Sequence, residues 1–397
     1  MPRNGGPDVR GWGAVPDVPD QADIAPATLA QALGHVESLP LGEAVILHNR
    51  ESGAIVASNP FGAMLIDHLR AAPDVGAAAR RIAADLEMPA TELRATVEAI
   101  VARWVEDGLF LTAIRPFPLP VAYRPAENGA VQRLTLGTRV ALMHSESAAF
   151  VDDIARALAP MGLATDGAAP GGAGVRIDVI ADANGFGVFR DRAPIWGAAG
   201  YELTRFHVLR EIMDILSGPE RVSAHLHASA VALGGVGLVF AGASGSGKST
   251  LATTLLGAGA ALASDDHVAI DIDGEALFAF PTRPNLKPGA AEVPEVAAVI
   301  GGQGEGAFVP NKRVPAGAAV RLAGFVFPRY DPDGEDALTR IDPADALRRL
   351  IQTGSRVSRS TRSIAPLLHA LRNHPTCVLS YRDTGFAVAQ CRALLER

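Results

Sequence analysis

Eight residues, Gly242-Ala-Ser-Gly-Ser-Gly-Lys248-Ser249, constrain this chain more than any others. They spell G-x-x-x-x-G-K-[ST], the pattern of a loop that wraps phosphate groups between a strand and a helix. The flanks have the required character. Gly237–Ala241 is an apolar run that reads as a strand, and Thr250–Leu256 opens a helix with regular apolar spacing. A phosphate cradle needs backbone N–H groups pointing inward with no Cβ in the way, which Gly242, Gly245 and Gly247 permit. The helix N-terminus adds partial positive charge. Lys248 is expected on the β- and γ-phosphates and Ser249 on Mg²⁺, with Ser244, Ser246 and Thr250 completing the nucleotide contacts. The competing reading, a glycine-rich turn that binds nothing, fits these flanks poorly.

The next strand-like run, ALASDDHVAID, places Asp265-Asp266 at its end. Carboxylates at the C-terminal end of a strand beside the first one sit next to bound phosphates. One could orient Mg²⁺ while the other takes a proton from an attacking hydroxyl. The plain alternative is a strand-ending turn, which Asp-Asp favours.

The rest of the chain sets limits. Its 397 residues imply two or three domains, and 48% hydrophobic against 20% charged residues excludes wholesale disorder. A net charge of −7 argues against nucleic acid as a partner, since phosphate neutralisation needs clustered Lys and Arg. Cys377 and Cys391 are too few for a disulfide framework or a zinc site, and read as buried small hydrophobes. The start, MPRNGGPDVRGWG, has no apolar core of a signal peptide. The uncharged run 228–247 is broken by glycines and reads as two strands and a loop, not a membrane span. A cytoplasmic protein without a membrane partner is the expectation.

Along the chain, residues 1–27 are expected to be a disordered tail, 28–114 a small domain, 115–130 a Pro-rich linker, 131–218 a small α/β region, and 219–397 the domain carrying the phosphate loop. In the first domain, Glu43–Ser58 reads as two strands around a turn at Glu51–Gly53. A helix capped by Asn59 with Pro60 at its first position follows, then one over Val75–Leu86 and one from a Thr91 cap to Asp107. Leu109–Thr112 reads as a returning strand. In the α/β region, RLTLGTRVALM and VRIDVIAD read as strands, while SAAFVDDIARALAPMG and YELTRFHVLREIMDILSG read as helices. His207, inside the latter pattern, is expected to be a satisfied interface residue.

GASGSGKSTLATTLLGAGAALASDDHVAI resembles the catalytic core of the HPr kinase/phosphorylase family. Upstream, His225-Leu-His227-Ala-Ser-Ala-Val resembles that family's histidine-bearing strand. The resemblance implies an α/β fold with a P-loop kinase core of HPr-kinase type, ATP and Mg²⁺ as cofactors, and oligomers through that core. It also implies His227 near the γ-phosphate and paired with Asp265. Asp265 would be general base on a substrate hydroxyl, and Asp266 would stand beside it and share the metal with Ser249. Two departures stand out. Thr250 follows Ser249 where the bifunctional members have Glu, and the signature of the reverse reaction is not recognisable after Asp273. Ala279–Gly289 instead resembles the shorter kinases, including those acting on lasso-peptide precursors. Arg283, Lys287, Lys312 and Arg313 are candidate phosphate or substrate contacts from this half.

Residues 41–112 resemble the PqqD family, small winged-helix-like domains that recognise precursor peptides of ribosomally made natural products. The hairpin ILHNRESGAIVAS, the following NPFGAMLIDHL and the closing VARWVEDGLF carry the likeness. Winged helices also bind DNA, but six Arg against ten Asp and Glu in this segment disfavour that. The resemblance implies that a leader peptide binds along Ile46–Arg50 or Ile55–Asn59 and the third helix. Together the two halves suggest a kinase for a Ser or Thr hydroxyl of a ribosomally made precursor peptide. The rivals are a nucleotide-gated peptide-binding ATPase and a kinase for a carrier protein or small molecule.

Overall fold

The structure, a computed structural model, describes residues 26–72, 74–112, 121–125, 129–163, 174–198 and 200–396. Residues 1–25 of the expected tail and much of the Pro-rich linker fall outside that set, while its last two residues, Pro26 and Ala27, open a helix instead. The chain divides into two units, Met1–Pro118 and Leu119–Arg397.

The first unit runs α1 (Pro26–Leu33), β1 (Val36–Leu41), β2 (Ala44–Asn49), β3 (Ile55–Ser58), α2 (Pro60–Ala71), α3 (Val75–Asp85) and α4 (Ala90–Glu106). The three strands form an antiparallel sheet in the order β1-β2-β3. Asn59 caps α2 by accepting the Gly62 N–H at 3.2 Å, and Pro60 takes the first helical position, where its missing N–H costs nothing. The helices bury Leu65, Ile82, Val97 and Trp104 in one core with Leu33 and Leu47 of the first helix and central strand.

Two expectations fail here. Thr91 is not the cap of α4, which starts from Pro89 without a side-chain cap. Leu109–Thr112 forms no strand among the described residues. Instead buried Asn49 clamps that segment, its side-chain amide donating to the Leu109 and Leu111 carbonyls at 2.7 and 2.8 Å. Those backbone acceptors are satisfied by one side chain, so no ladder is required.

The second unit holds two sheets among its described residues. The smaller comprises β4 (Ala130–Leu136), β5 (Arg139–Ser145), β6 (Val175–Asp182), β7 (Gly185–Arg190) and β8 (Ala193–Ala198), adjacent in that order. Helix α5 (Ala148–Leu158) leads from β5 to β6, which pair in parallel, and α6 (Tyr201–Ser217) follows β8. RLTLGTRVALM is thus a hairpin turning at Gly137, not one strand.

The larger sheet is built from β9 (Val222–Leu226), β10 (Ala228–Leu233), β11 (Val236–Ala241), β12 (Ala261–Ser264), β13 (Val268–Asp271), β14 (Ala276–Phe278), β15 (Ala319–Tyr330), β16 (Ala337–Arg340), β17 (Arg356–Val357) and β18 (Thr376–Tyr381). Its helices are α7 (Lys248–Gly257), α8 (Pro294–Ile300), α9 (Pro343–Gln352), α10 (Ala365–Asn373) and α11 (Thr384–Leu395). The order is β12-β10-β11-β15-β14-β13-β9-β17, with β18 against the C-terminal half of β15 and β16 beyond it.

The boundary expected at residue 218 does not separate two cores. Phe150, Ile177 and Ile212 of the smaller sheet and its helices share a buried cluster with Val222, Ala269 and Phe280 of the larger. On the other side of the larger sheet, Leu251, Leu255 and Leu256 of α7 pack with Val296, Cys391 and Leu394. Truncating a core leucine such as Leu255 costs about 2–5 kcal/mol, so α7 is held firmly beneath its own N-terminus. No described helix is long and apolar enough to cross a membrane.

Candidate functional site

Strand direction brings the chemistry to one edge. β11 and β15 are parallel, as are β15 and β18; β12 is antiparallel to β10, which is antiparallel to β11. β11, β12, β15 and β18 therefore all run the same way, and their C-terminal ends open onto one cleft of about 990 Å³. Ligands bind at this end of α/β sheets because the helices that follow the strands point their positive N-termini there. Asp265 lies beyond the end of β12, which is not adjacent to β11 as the sequence suggested. Antiparallel β10 stands between them, and its Ser229 reaches across to donate a hydrogen bond to Asp265.

Between β11 and α7 the loop 242–247 turns sharply. Gly245 has φ +87° with open space where a Cβ would stand, and Gly247 has φ +96° with the Tyr381 hydroxyl 3.0 Å from that position. Both are left-handed backbone that glycine adopts without cost. Gly247 caps α7 without a side chain, so the N–H groups of the first turn are free to bind an anion. Lys248 is only 7% exposed, and its ammonium donates to the Gly242 and Ala243 carbonyls at 2.8 and 3.2 Å. Burial pulls its pKa down, while the Asp266 and Asp265 carboxylates counter that. Ser246 Oγ is buried without a partner. A cradle of free amides, an open glycine and a buried ammonium suits a phosphate chain.

The two aspartates differ in environment. Asp265 is 1% exposed, and its partners are neutral: the Ser229 hydroxyl, the Ser249 hydroxyl at 3.0 and 3.1 Å, and the Asn285 backbone N–H at 2.7 Å. Burial, then the charge of Asp266, push its carboxyl up to about 6. Asp266 has φ +61°, an uncommon conformation for a residue other than glycine. That twist interrupts the alternation of an extended chain, so consecutive carboxylates both line the cleft. Its oxygens lie 3.7 Å from His227 Nε2 and accept from the Asn285 side-chain amide at 3.1 Å. Burial works to raise its pKa, but His227, Lys248 and Asn285 outweigh this and hold it below the ordinary carboxylate range. His227 donates from Nδ1 to the Thr353 carbonyl at 2.9 Å, which leaves Nε2 toward Asp266.

The pairing of His227 is thus with Asp266 rather than Asp265, and Ser249 bonds Asp265 rather than Asp266. Both differences arise because Asp265 is drawn inward by Ser229 and Ser249, leaving Asp266 at the cleft surface. A hydroxyl and a buried carboxylate lacking a cationic partner suit a hard divalent cation. Mg²⁺ keeps several waters and borrows phosphate oxygens, so it needs few protein ligands. Among the described residues no group of three His, Cys, Asp or Glu side chains forms a metal cage.

Of the four basic candidates, two reach the cleft. Lys287 donates to Ser244 Oγ of the loop at 2.7 Å, and Arg283 lines the same wall with a 2.9 Å bond to the Gly306 carbonyl. Lys312 instead lines a separate pocket, and Arg313 bonds the nearby Pro310 carbonyl; neither lines the main cleft. The chain around them pairs with Leu262 at the β12 edge, which directs it away from the loop. Residue-by-residue reading missed Asn285, which bonds both aspartates, and Ser229. Asn285 sits two residues from Lys287 in a segment singled out only for its charges.

His207 is half-buried and satisfied, as expected: it stacks on Trp196 at 3.6 Å and accepts from Arg210 at 2.7 Å. Cys377 and Cys391 are buried thiols that do not form a disulfide.

No curated protein matches the chain. Residues 43–109 match the family model "Coenzyme PQQ synthesis protein D (PqqD)", so the segment spanning β2, β3 and α2 to α4 is a PqqD-like domain.

Proposed function

We propose that this chain is an ATP- and Mg²⁺-dependent kinase that phosphorylates a hydroxyl side chain of a ribosomally made precursor peptide, held by its PqqD-like domain. The convergence of the 242–249 loop with Asp265, Asp266 and His227 in one cleft carries this reading. The loop and Lys248 bind the β- and γ-phosphates. Ser249 and Asp265 would hold Mg²⁺, which would neutralise charge on the transferring group. Asp266, kept ionised by His227, accepts the proton of the acceptor hydroxyl. The hydroxyl oxygen bonds to the γ-phosphorus as the bond to the bridging oxygen breaks, and that electron pair leaves with ADP.

The PqqD-like domain supports a peptide as the acceptor. Its β2 is paired on both sides, by β1 and β3, so the Ile46–Arg50 edge expected to bind peptide is not free. β3 is an outer strand. Asn49 N–H donates to the Ala54 carbonyl, making Asn49–Ala54 a hydrogen-bonded pair. By alternation Ile55 and Ala57 turn their N–H and C=O groups away from β2. A leader strand adds there by backbone bonding, and tethering on one chain raises the local concentration of acceptor near the loop.

The test is the intact mass of the precursor peptide encoded beside this gene after incubation with the protein, ATP and Mg²⁺. A gain of about 80 Da that Lys248→Ala abolishes supports the proposal. Binding of the peptide without any mass gain would turn the reading toward a peptide-binding ATPase.

A further inference from the structure

Deep in the cleft, on the α6 side, lies a guanidinium with no carboxylate in contact. Arg210 is 9% exposed, lines the cleft, and has no carboxylate within 4 Å among the described residues. Its one hydrogen bond goes to neutral His207, and its Nε is buried without a partner. A buried cation left this way costs several kcal/mol unless something completes it. Of the other basic groups lining the cleft, Arg205 bonds Asp153 at 2.7 Å and Lys287 bonds Ser244. Arg283 bonds the Gly306 carbonyl and also keeps a buried Nε without a partner, but it is less deeply buried than Arg210.

The surroundings deepen the imbalance. Arg356 of β17 has a buried Nε without a partner, and Arg359 follows three residues on. Burial first, then the charges of Arg356 and Arg359, drive the Arg210 pKa well below its ordinary value, with Glu211 and Asp214 opposing only in part. The same three guanidiniums, after burial, hold His207 down at about 2, so it adds a neutral acceptor and no charge. The nearby carboxylates are committed elsewhere. Glu211 and Asp214 pair with Arg190 at 2.8 and 3.3 Å, and Asp214 lies 2.7 Å from His225. Four arginines thus share two carboxylates.

The position relates this pocket to the reaction proposed above. The Phe206 ring stands between, its centroid 5.2 Å from that of His227 and 5.6 Å from Arg210 Cζ. The phosphate loop and Lys287 lie at the β11 end of the cleft, whereas Arg210 lies beyond His227 on the α6 wall.

We propose that Arg210, backed by Arg356 and Arg359, is an oxyanion subsite for the acceptor, taking a carboxylate or phosphate group carried near the hydroxyl presented to Asp266. It rests on the kinase reading only for the identity of its occupant. A guanidinium offers paired donors matched to the two oxygens of either group. The aromatic step of Phe206 then spaces the anchored anion from the hydroxyl that reacts, which gives the cleft a preference among acceptor peptides.

Calorimetric titration of the full chain, with ADP and Mg²⁺ saturating, tests this without requiring turnover. Inorganic phosphate and acetate are the two probes. Saturable binding of either, weakened at least tenfold in Arg210→Gln and unchanged in Arg205→Gln, supports the subsite. The probe that binds more tightly identifies the group as phosphate or carboxylate. Arg359→Gln, at an exposed position, is expected to weaken the same probe about threefold through lost field, and it decides the matter should Arg210→Gln fail to fold. No saturable binding to wild type, or equal binding by Arg210→Gln, overturns the proposal. Loss of peptide phosphorylation in Lys248→Ala tests the kinase separately, so the two can fail independently.

Discussion

Ser249 Oγ lies 3.0 and 3.1 Å from the two carboxylate oxygens of Asp265, while Asp266 next to it turns away toward His227. One hydroxyl therefore gives a pair of adjacent carboxylates different surroundings. The difference leads to distinct expectations for the two side chains.

Asp266→Asn is expected to lower kcat by about a thousandfold, the upper range of a positioned base, with the apparent affinity for Mg²⁺ nearly unchanged. Asp265→Asn should instead raise the Mg²⁺ concentration needed for half-maximal rate at least tenfold. Steady-state kinetics across a Mg²⁺ series separates them. The opposite assignment would put Asp265 at the acceptor.

Asp265 also makes a stability prediction in the protein without nucleotide. Its carboxyl sits at about 6 in the fold against about 3.9 in the unfolded chain. The folded state thus binds its proton more tightly, and this contribution is fully present below about pH 4 and is lost as pH rises through 6. Asp265→Asn, which cannot ionise, should melt near the wild-type temperature at pH 4 and several degrees above it at pH 8. Melting curves across that range check the sign.

His227 and Asn285 hold Asp266 below the ordinary carboxylate range. Removing either lets its pKa rise, so the acid limb of the kcat/KM profile should move to higher pH in His227→Ala and in Asn285→Ala. The pH–rate profiles of the three proteins, measured with the precursor peptide, give the comparison. An unmoved limb would separate Asp266 from the rate-limiting proton transfer.

Ala57→Pro should leave the melting temperature within about 3 °C of wild type, because proline is tolerated where an edge strand's N–H faces outward. The same substitution removes a donor from the β3 edge and adds a steric block. Peptide affinity is expected to fall at least tenfold by calorimetry, with ATP affinity unchanged.

Cys377 and Cys391 are 2% and 0% exposed, and burial pushes the Cys391 thiol up to about 12. Neither should react with a thiol reagent in the native state, and both should titrate in denaturant. Prompt labelling of the folded protein would contradict their place in the core.

Local sequence by itself determined the pieces whose physics is local. The strand–loop–helix around Gly242–Ser249, the Asn59-Pro60 start of α2 and the 3.6-residue pattern of α6 all follow from glycine freedom, capping and periodicity within a few residues. The PqqD-like segment was legible for the same reason, as a short hairpin followed by well-marked helices. Tertiary structure alone decided which aspartate faces which partner. That depends on Ser229 from an inserted antiparallel strand and on Asn285, twenty residues further on, and neither strand order nor such a reach is encoded in local pattern. It also decided that residues 131–218 share a core with the larger sheet, and that Arg210, unremarkable on a helical pattern, ends buried with no carboxylate in contact. Burial and charge balance are properties of what surrounds a side chain, and distant segments supply those surroundings only once the chain has folded.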